Sequence, residues 1–252
     1  MNIQTIRSLG LSLFLLCGSH AAICFAETTR AAPPIQFPSG IKVETVDESI
    51  DRLSKLIKQH PHEGLLYLSR AEYLNSAARY TEALRDANRA IELSSRSADA
   101  YKQRTLALSG LAKWQEALGD ADRYVRMASG SEQIVAYEMR GCVELRAKKY
   151  ASAIVDFNAA IQLDRRSAWL YLYRAWAFSG FGVYERTVKD CNKCLSLVDE
   201  THGSPDWQIE VFALSARAHA YDQQGEHELA KKDLKLQAEI FERHKTAPKK
   251  AE

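Results

Sequence analysis

Hydrophobic residues along the chain recur at helical spacing, and the whole pattern repeats with a period close to 34 residues. An aromatic or histidine residue followed three positions later by a small residue forms the same phrase five times, and the phrase ends at Ala83, Ala117, Ala153, Thr187 and Ala230. Successive phrases are 34, 36, 34 and 43 residues apart. Such a period indicates tandem copies of one structural unit.

Each copy carries a second set of aligned positions upstream of this phrase. Sixteen residues before the small residue stands a tyrosine or a leucine, at Tyr67, Tyr101, Tyr137, Tyr171 and Leu214. Within each half of a copy the aligned positions are three, four or seven residues apart, which places them on one face of a helix. The pattern therefore predicts two helices in each copy, joined by a short turn.

Composition and charge support this helical reading. None of the six prolines lies between His62 and Ser204, a stretch of 143 residues. Because proline breaks helices, its absence over that length favours an all-helical repeat region. The 34 basic and 32 acidic residues leave a net charge of +2, which argues against an electrostatic nucleic-acid binder.

The repeated unit resembles the tetratricopeptide repeat, a 34-residue helix–turn–helix with a Tyr-x-x-Ala phrase opening its second helix. The resemblance implies an all-α fold, a right-handed α-solenoid, over residues 61–244. Residues 45–60 are predicted to form a capping helix, since one helix pair cannot cover its own apolar face. The five predicted units span about 64–97, 98–131, 134–167, 168–201 and 211–244.

Residues 1–26 have the features of a secretory signal peptide. Arg7 is the only charge among them, an apolar stretch covers residues 9–25, and the segment ends in a small residue. The protein is therefore expected to be exported, to the periplasm or out of the cell. The alternative is an uncleaved membrane anchor, although polar residues at 18–20 interrupt the stretch and a spanning helix needs about 20 apolar residues.

Two flanking segments lack the helical pattern. Residues 27–44 contain three prolines and are predicted to form an extended arm. Residues 245–252 are polar and basic and are predicted to form a disordered tail. The arm also carries Ile35 and Phe37, so it is itself a candidate occupant of a groove in the solenoid.

Every predicted first helix carries an arginine, and every predicted second helix carries an aspartate sixteen residues later. In an antiparallel helix pair this separation brings the two side chains together, and a planar guanidinium fits a carboxylate with two bonds. Paired charges are not available to bind anions, so we interpret them as structural ion pairs rather than ligand sites. The predicted pairs are Arg70–Asp86, Arg104–Asp120, Arg140–Asp156, Arg174–Asp190 and Arg217–Asp233.

The resemblance implies that first helices line a concave binding surface. In the fourth unit Trp169, Leu172 and Trp176 take the concave positions, while Tyr171 and Phe178 supply the packing face. A helix that is apolar all round is either buried on both sides or exposes a binding patch. The tryptophans are thus either covered by neighbouring helices or form an aromatic pocket for a peptide. The predicted partner-binding residues are Val135, Leu145, Trp169, Leu172, Trp176 and Phe212.

Little in the sequence points to catalysis. Cys191 and Cys194 form a C-x-x-C, but no second Cys or His pair completes a zinc site, and both lie inside a helix rather than at its N-terminus. A pair of small buried residues is the favoured reading, and a thiol or redox protein is the alternative. The chain lacks phosphate-loop, nucleophile-elbow and zinc-protease motifs.

The predicted function is therefore a non-catalytic protein–protein interaction scaffold. We expect no enzyme activity, no metal and no cofactor. The expected partner is a protein or peptide rather than a nucleic acid. Membrane contact is expected only if the N-terminal segment stays uncleaved, as in a membrane-tethered assembly factor.

Overall fold

The computed structural model describes residues 44–94, 96–200 and 207–245, without the side chains at positions 199, 200 and 245. Apart from Glu44 and Lys245, the predicted signal peptide, arm and tail lie outside these residues. Regular structure in the described ranges is entirely helical, with eleven helices and no strand. The prediction of an all-α fold is thereby confirmed.

In chain order, one capping helix is followed by ten described helices, which the sequence repeat groups into five pairs. The capping helix α1 spans Val46–Gln59. The pairs are α2 (Gly64–Ser76) with α3 (Tyr80–Leu93), α4 (Ala98–Gly110) with α5 (Trp114–Met127), α6 (Glu132–Arg146) with α7 (Tyr150–Leu163), α8 (Ala168–Gly180) with α9 (Tyr184–Glu200), and α10 (Trp207–Gln223) with α11 (His227–Lys245).

The described chain divides into two compact units, and the division falls inside α6, between Val143 and Glu144. In the first unit consecutive helices from α1 to α5 pack on one another, and α2 also contacts α4. Small residues such as Ala83 and Ala117 are fully buried between the helices, so the helix axes can approach closely. Larger side chains fill the core beside them, among them Ile50, Leu74, Tyr101, Tyr124 and Met139.

A capping box fixes the start of α1. The Thr45 hydroxyl accepts a hydrogen bond from the Glu48 amide, and the Glu48 carboxylate accepts one from the Thr45 amide. This reciprocal pair satisfies two of the amides that a helix leaves unpaired at its N-terminus. The helix therefore begins where the arm ends and places Ile50 and Leu53 in the core.

The second unit contains α7 to α11, in which α8 packs on α7, α9 and α10, and α11 packs on α10. Its core contains both aliphatic and aromatic side chains. The fully buried residues include Phe157, Leu170, Leu172, Tyr173 and Leu214.

The turn inside each helix pair ends its first helix in the same way. The amide three residues after the helix end donates back to a carbonyl five residues earlier, as from Arg79 to Leu74 at 2.8 Å and from Val183 to Phe178 at 2.9 Å. This bond requires a left-handed residue in between, a position that favours glycine. The five turn residues with positive φ are Ala78, Ala112, Lys148, Gly182 and Gly225.

A glycine permits close packing between successive helix pairs. Gly110 ends α4 against the ring of Tyr80, and a Cβ atom added there would lie 2.4 Å from Tyr80 Cγ. Gly180 ends α8 against Tyr150 with the same clearance, 2.4 Å to Cε1. Both tyrosines are the first residue of the second helix in the preceding pair and of its Tyr-x-x-Ala phrase. This tyrosine therefore also limits how closely the first helix of the next pair can approach.

Candidate functional site

An arginine of the first helix and an aspartate of the second helix form two parallel hydrogen bonds within a helix pair. Nε donates to Oδ2 at 2.6 to 2.7 Å and Nη2 donates to Oδ1 at 2.7 to 2.8 Å in four pairs. The aspartates are buried and the arginines are partly buried. The four pairs are Arg70–Asp86, Arg104–Asp120, Arg174–Asp190 and Arg217–Asp233.

The remaining predicted pair, Arg140 with Asp156, has its residues in different compact units, and this pairing stays a prediction. Inside the first unit, Arg140 Nη1 donates to Asp122 Oδ1 at 3.0 Å. Asp122 lies on α5, so this arginine also reaches the second helix of the preceding pair.

A third bond, missing from the sequence-based prediction, links each arginine to the preceding helix pair or, for Arg70, to the capping helix. Arg104 Nη1 donates to Asn88 Oδ1 at 2.9 Å, and Arg217 Nη1 donates to Asn192 Oδ1 at 2.6 Å. The acceptors occupy one repeated position, and successive acceptors are 34 or 36 residues apart. In the sequence each of these acceptors is a short polar side chain. They are Ser54, Asn88, Asp122, Asn158 and Asn192.

These contacts leave the arginines charged and paired with a carboxylate. Hydrogen bonding to the partner aspartate raises the pKa of Arg70, Arg104 and Arg217, against the opposing effect of burial. A guanidinium held by a carboxylate and a second acceptor has little capacity left for an anionic ligand. The row of arginines is therefore a structural device that ties helices within and between pairs.

An aromatic cluster forms around the first helix of the fourth pair. Ring centroids lie 5.8 Å apart for Phe157 and Tyr173, 5.6 Å for Trp169 and Tyr173, and 5.7 Å for Tyr173 and Trp176. Phe212 of α10 contacts both tryptophans, at 6.4 Å from Trp169 and 6.1 Å from Trp176. These separations are typical of favourable tilted and edge-to-face ring pairs.

The cluster has a buried floor and a partly exposed rim. Tyr173 is fully buried, and Trp169 is 9% exposed. Trp176 and Phe212 are half-buried, so each presents part of its ring to solvent. Partly exposed aromatic rings set on a buried floor are suited to anchoring an apolar side chain of a partner.

The structure corrects the predicted position of two residues. Leu172 is 0% exposed and Trp169 is nearly so, which places both in the core rather than on a binding surface. Leu172 lies three residues after Trp169 and four before Trp176, so both indoles share its helix face and leave the shorter side chain covered. Tyr173, which the sequence analysis left unassigned, is the centre of the cluster.

Other predicted positions fall elsewhere. Val135 is half-buried and packs against a core cluster of the first unit that contains Tyr101. Leu145 is half-buried near the end of α6. Tyr171 and Phe178, predicted to face the core, are half-buried and have the Arg174 guanidinium 5.5 and 5.9 Å from their ring centroids. Both rings lie within cation–π distance of this guanidinium.

The C-x-x-C cysteines lie in the core of the second unit. Cys191 and Cys194 are both 0% exposed, are not joined by a disulfide, and lie within α9. Burial raises the pKa of Cys194 to about 12 and raises the pKa of Cys191 as well. Because the thiolate is the nucleophile, these thiols are poorly suited to redox chemistry at neutral pH.

No group of three or more His, Cys, Asp or Glu side chains among the described residues could hold a metal ion. None of the described helices has the length and hydrophobicity needed to span a membrane.

Comparisons with known proteins identify the class of fold. No family model matches the chain. The TPR repeat-containing thioredoxin TDX of Arabidopsis thaliana is 38% identical over 61 residues, which are 24% of this chain and 16% of that protein. The chain therefore matches about one sixth of the length of this curated relative.

Solved structures match over most of the described helices. MamA from Desulfovibrio magneticus RS-1 has a TM-score of 0.62 at 18% identity, covering 73% of this chain and 97% of the other. YrrB, described as a TPR protein with an unusual peptide-binding site, has a TM-score of 0.58 at 17% identity, covering 76% and 93%. A tetratricopeptide repeat protein from Parabacteroides merdae ATCC 43184 has a TM-score of 0.61 at 16% identity, covering 86% and 77%.

The chain is thus an α-solenoid of tandem helix pairs. Its fold is that of the tetratricopeptide-repeat proteins, as the repeated phrases of the sequence predicted.

Proposed function

We propose that this protein is a non-catalytic interaction scaffold that binds a protein or peptide segment at the aromatic cluster of its second unit. The observation that carries the proposal is the half-buried pair Trp176 and Phe212, set over the buried rings of Trp169 and Tyr173. Tryptophan is enriched among the residues that dominate binding energy at interfaces, and phenylalanine is enriched in interfaces generally. The bound segment would insert an apolar side chain between Trp176 and Phe212.

Two features of the chain support binding rather than chemistry. The arginines are occupied by carboxylates and the buried thiols are held protonated, so neither set offers a reactive group. YrrB, which shares the fold, is described as having a peptide-binding site. Unusual aromatic positions on the repeat are then the best candidates for the recognition surface.

Binding is tested by measuring affinity for a peptide selected from a random peptide library on the purified protein. Replacing Trp176 or Phe212 by Ala should weaken the selected peptide by about tenfold or more, as expected for an interface hot spot. Phe181→Ala is the matched control, because Phe181 is 58% exposed at the turn after α8 and outside the cluster. Equal affinity of all three variants and the parent would reject the site.

The predicted arm, residues 27–44, is a competing candidate occupant of the same surface. Its apolar residues Ile35 and Phe37 lie outside the described residues. Deleting residues 27–43 should leave the affinity for the selected peptide unchanged if the site serves a partner. A large gain in affinity on deletion would indicate that the arm occupies the site.

We also propose that the scaffold is exported. The support is the sequence of residues 1–26, with one positive charge, an apolar stretch and a small residue at its end. N-terminal sequencing of protein recovered outside the cytoplasm should begin at Glu27. Recovery of the intact N-terminus from the membrane fraction would favour the membrane-tethered alternative.

A further inference from the structure

The groove on the outer side of a helix pair is normally covered by the first helix of the next pair. In the first unit α4 packs on α3 as well as on its own partner α5, and in the second unit α10 packs on α9. The Arg104–Asn88 and Arg217–Asn192 hydrogen bonds cross these same contacts. A helix pair therefore presents a surface that is shaped to receive another helix.

After α11 the described residues contain no further helix to fill this place. A groove of about 520 Å³ lies between α10 and α11, bordered by Tyr221 from the first helix and by Leu229, Lys232, Lys235 and Leu236 from the second. We call this the terminal groove. The Arg217–Asp233 ion pair lies along it.

Two leucines of the terminal groove break the pattern of the repeat. Leu229 is 43% exposed and Leu236 is 40% exposed. The residues aligned with Leu229 in the earlier second helices are Glu82, Glu116, Ser152 and Arg186, and those aligned with Leu236 are Arg89, Arg123, Ala159 and Lys193. The last second helix thus carries apolar side chains at two positions that are polar or small elsewhere.

A lysine replaces the acceptor that would receive the arginine of a further repeat. Lys235 aligns with Ser54, Asn88, Asp122, Asn158 and Asn192, the acceptors of the five arginines. An incoming helix with the arginine of this repeat would meet an ammonium group there. The terminal groove is therefore unsuited to another copy of this chain's own first helices.

Charge complementarity indicates what the groove accepts instead. Lys232 and Lys235 lie beside the two leucines, and the acidic groups near them are engaged or peripheral: Asp233 bonds to Arg217, and Glu239 is 3.9 Å from Lys235. Leu229 and Leu236 are seven residues apart on one face of α11, which matches the apolar stripe of a facing helix. Carboxylates beside that stripe would meet the two lysines.

We propose that the terminal groove docks an amphipathic α-helix of a partner protein, with an apolar stripe seated on Leu229 and Leu236 and carboxylates facing Lys232 and Lys235. This surface shares no residue with the aromatic cluster. The two surfaces would allow one scaffold molecule to hold two partners at once.

The probe is a pair of fluorescein-labelled synthetic helices of about 20 residues with leucines at i, i+3, i+4 and i+7. One peptide carries glutamates beside the stripe and the other carries lysines. Fluorescence anisotropy with the full chain should give at least about tenfold tighter binding of the acidic peptide. The double variant Leu229→Glu, Leu236→Arg introduces the residues of α3 and should weaken that binding by about tenfold or more.

The variant Lys232→Glu, Lys235→Glu should reverse the preference in favour of the basic peptide. Leu163→Ser is the matched control, because Leu163 is an exposed leucine at the end of α7 outside the groove, and it should bind like the parent. Phe212→Ala should also bind like the parent, which separates this site from the aromatic cluster. Circular dichroism of each variant verifies that the helices are retained.

Three results would overturn the proposal. The first is equal affinity for the acidic and basic peptides, or no loss in the leucine double variant. The second is a concentration-dependent dimer in sedimentation that this variant dissociates, which would make a second copy the occupant. The third is a gain in peptide affinity on deleting residues 246–252, which would make the chain's own tail the occupant.

Discussion

Helices α4 and α8 occupy the same place in their helix pairs but present different surfaces. Both bind the aspartate of their second helix with two bonds, through Arg104 and Arg174, and both end in a glycine against a tyrosine ring. At the positions that the resemblance assigns to the concave surface, however, α4 carries Asp99 and Lys102 while α8 carries Trp169 and Leu172. Residues that repeat between the two helices build the pair, and residues that differ give the second unit its aromatic cluster.

If this division is correct, damage to a repeated position should be equally severe in both pairs. Replacing Asp120 or Asp190 by Ala leaves a partly buried guanidinium without its carboxylate, which should cost about 3–5 kcal/mol of unfolding free energy. Urea denaturation measures the loss. Glu92→Ala serves as control, because its ion pair with Arg89 is exposed and should contribute less than about 1 kcal/mol. A small cost at one aspartate and a large one at the other would break the equivalence of α4 and α8.

The tyrosine–glycine contact should be the next most sensitive feature of both pairs. Gly110→Ala and Gly180→Ala each place a methyl group about 2.4 Å from a tyrosine ring, which should destabilise the protein by about 1–3 kcal/mol. Gly119→Ala is the opposite case, since no atom lies within 4 Å of a Cβ there and α5 should gain about 1 kcal/mol in stability. Thermal unfolding of the three variants compares them, and a stabilising Gly110→Ala would contradict the packing described here.

The turn that joins the two helices of a pair should show the smallest effect. The second and fourth pairs differ in the residue that takes the left-handed conformation in this turn. The second pair has Ala112 at a φ of 58°, and the fourth has Gly182 at 81°. Ala112→Gly should relieve strain and stabilise by about 1 kcal/mol or less, whereas Gly182→Ala should destabilise by about 1 kcal/mol. Chemical denaturation with both single variants is sufficient. Changes of the same sign would show that the two turns are not equivalent.

The helix pairs were predictable because their signals are local and repeated. The Tyr-x-x-Ala phrase and the fixed sixteen-residue spacing of Arg104 and Asp120 depend on helix geometry alone, and five copies reinforce each signal. The third bond to residues such as Asn88 was missed, although its period is the same. A short polar side chain on a helix can make many different contacts. Its bond to the arginine depends on the position of the next helix pair, which the sequence pattern does not show.

The aromatic cluster was harder to predict, for a physical reason. In a helix with apolar residues on every side, such as α8, periodicity does not distinguish a buried side chain from an exposed one. Leu172 was predicted on the surface and is buried, and Tyr173 was overlooked although it is the centre of the cluster. Which large ring covers a smaller neighbour depends on side-chain packing, which the sequence pattern does not encode.

Acrylamide quenching of tryptophan fluorescence tests the recognition surface most directly. The parent is compared with Trp176→Phe, each with and without a saturating library-selected peptide. Trp114 and Trp207 are also half-buried and are quenched in both proteins, so we predict that Trp176→Phe has a smaller accessible tryptophan component than the parent. The bound peptide should protect the part of the quenching that the parent has in excess. Identical quenching of the two proteins, unchanged by peptide, would contradict the assignment of Trp176 and Phe212 as the partner-binding surface.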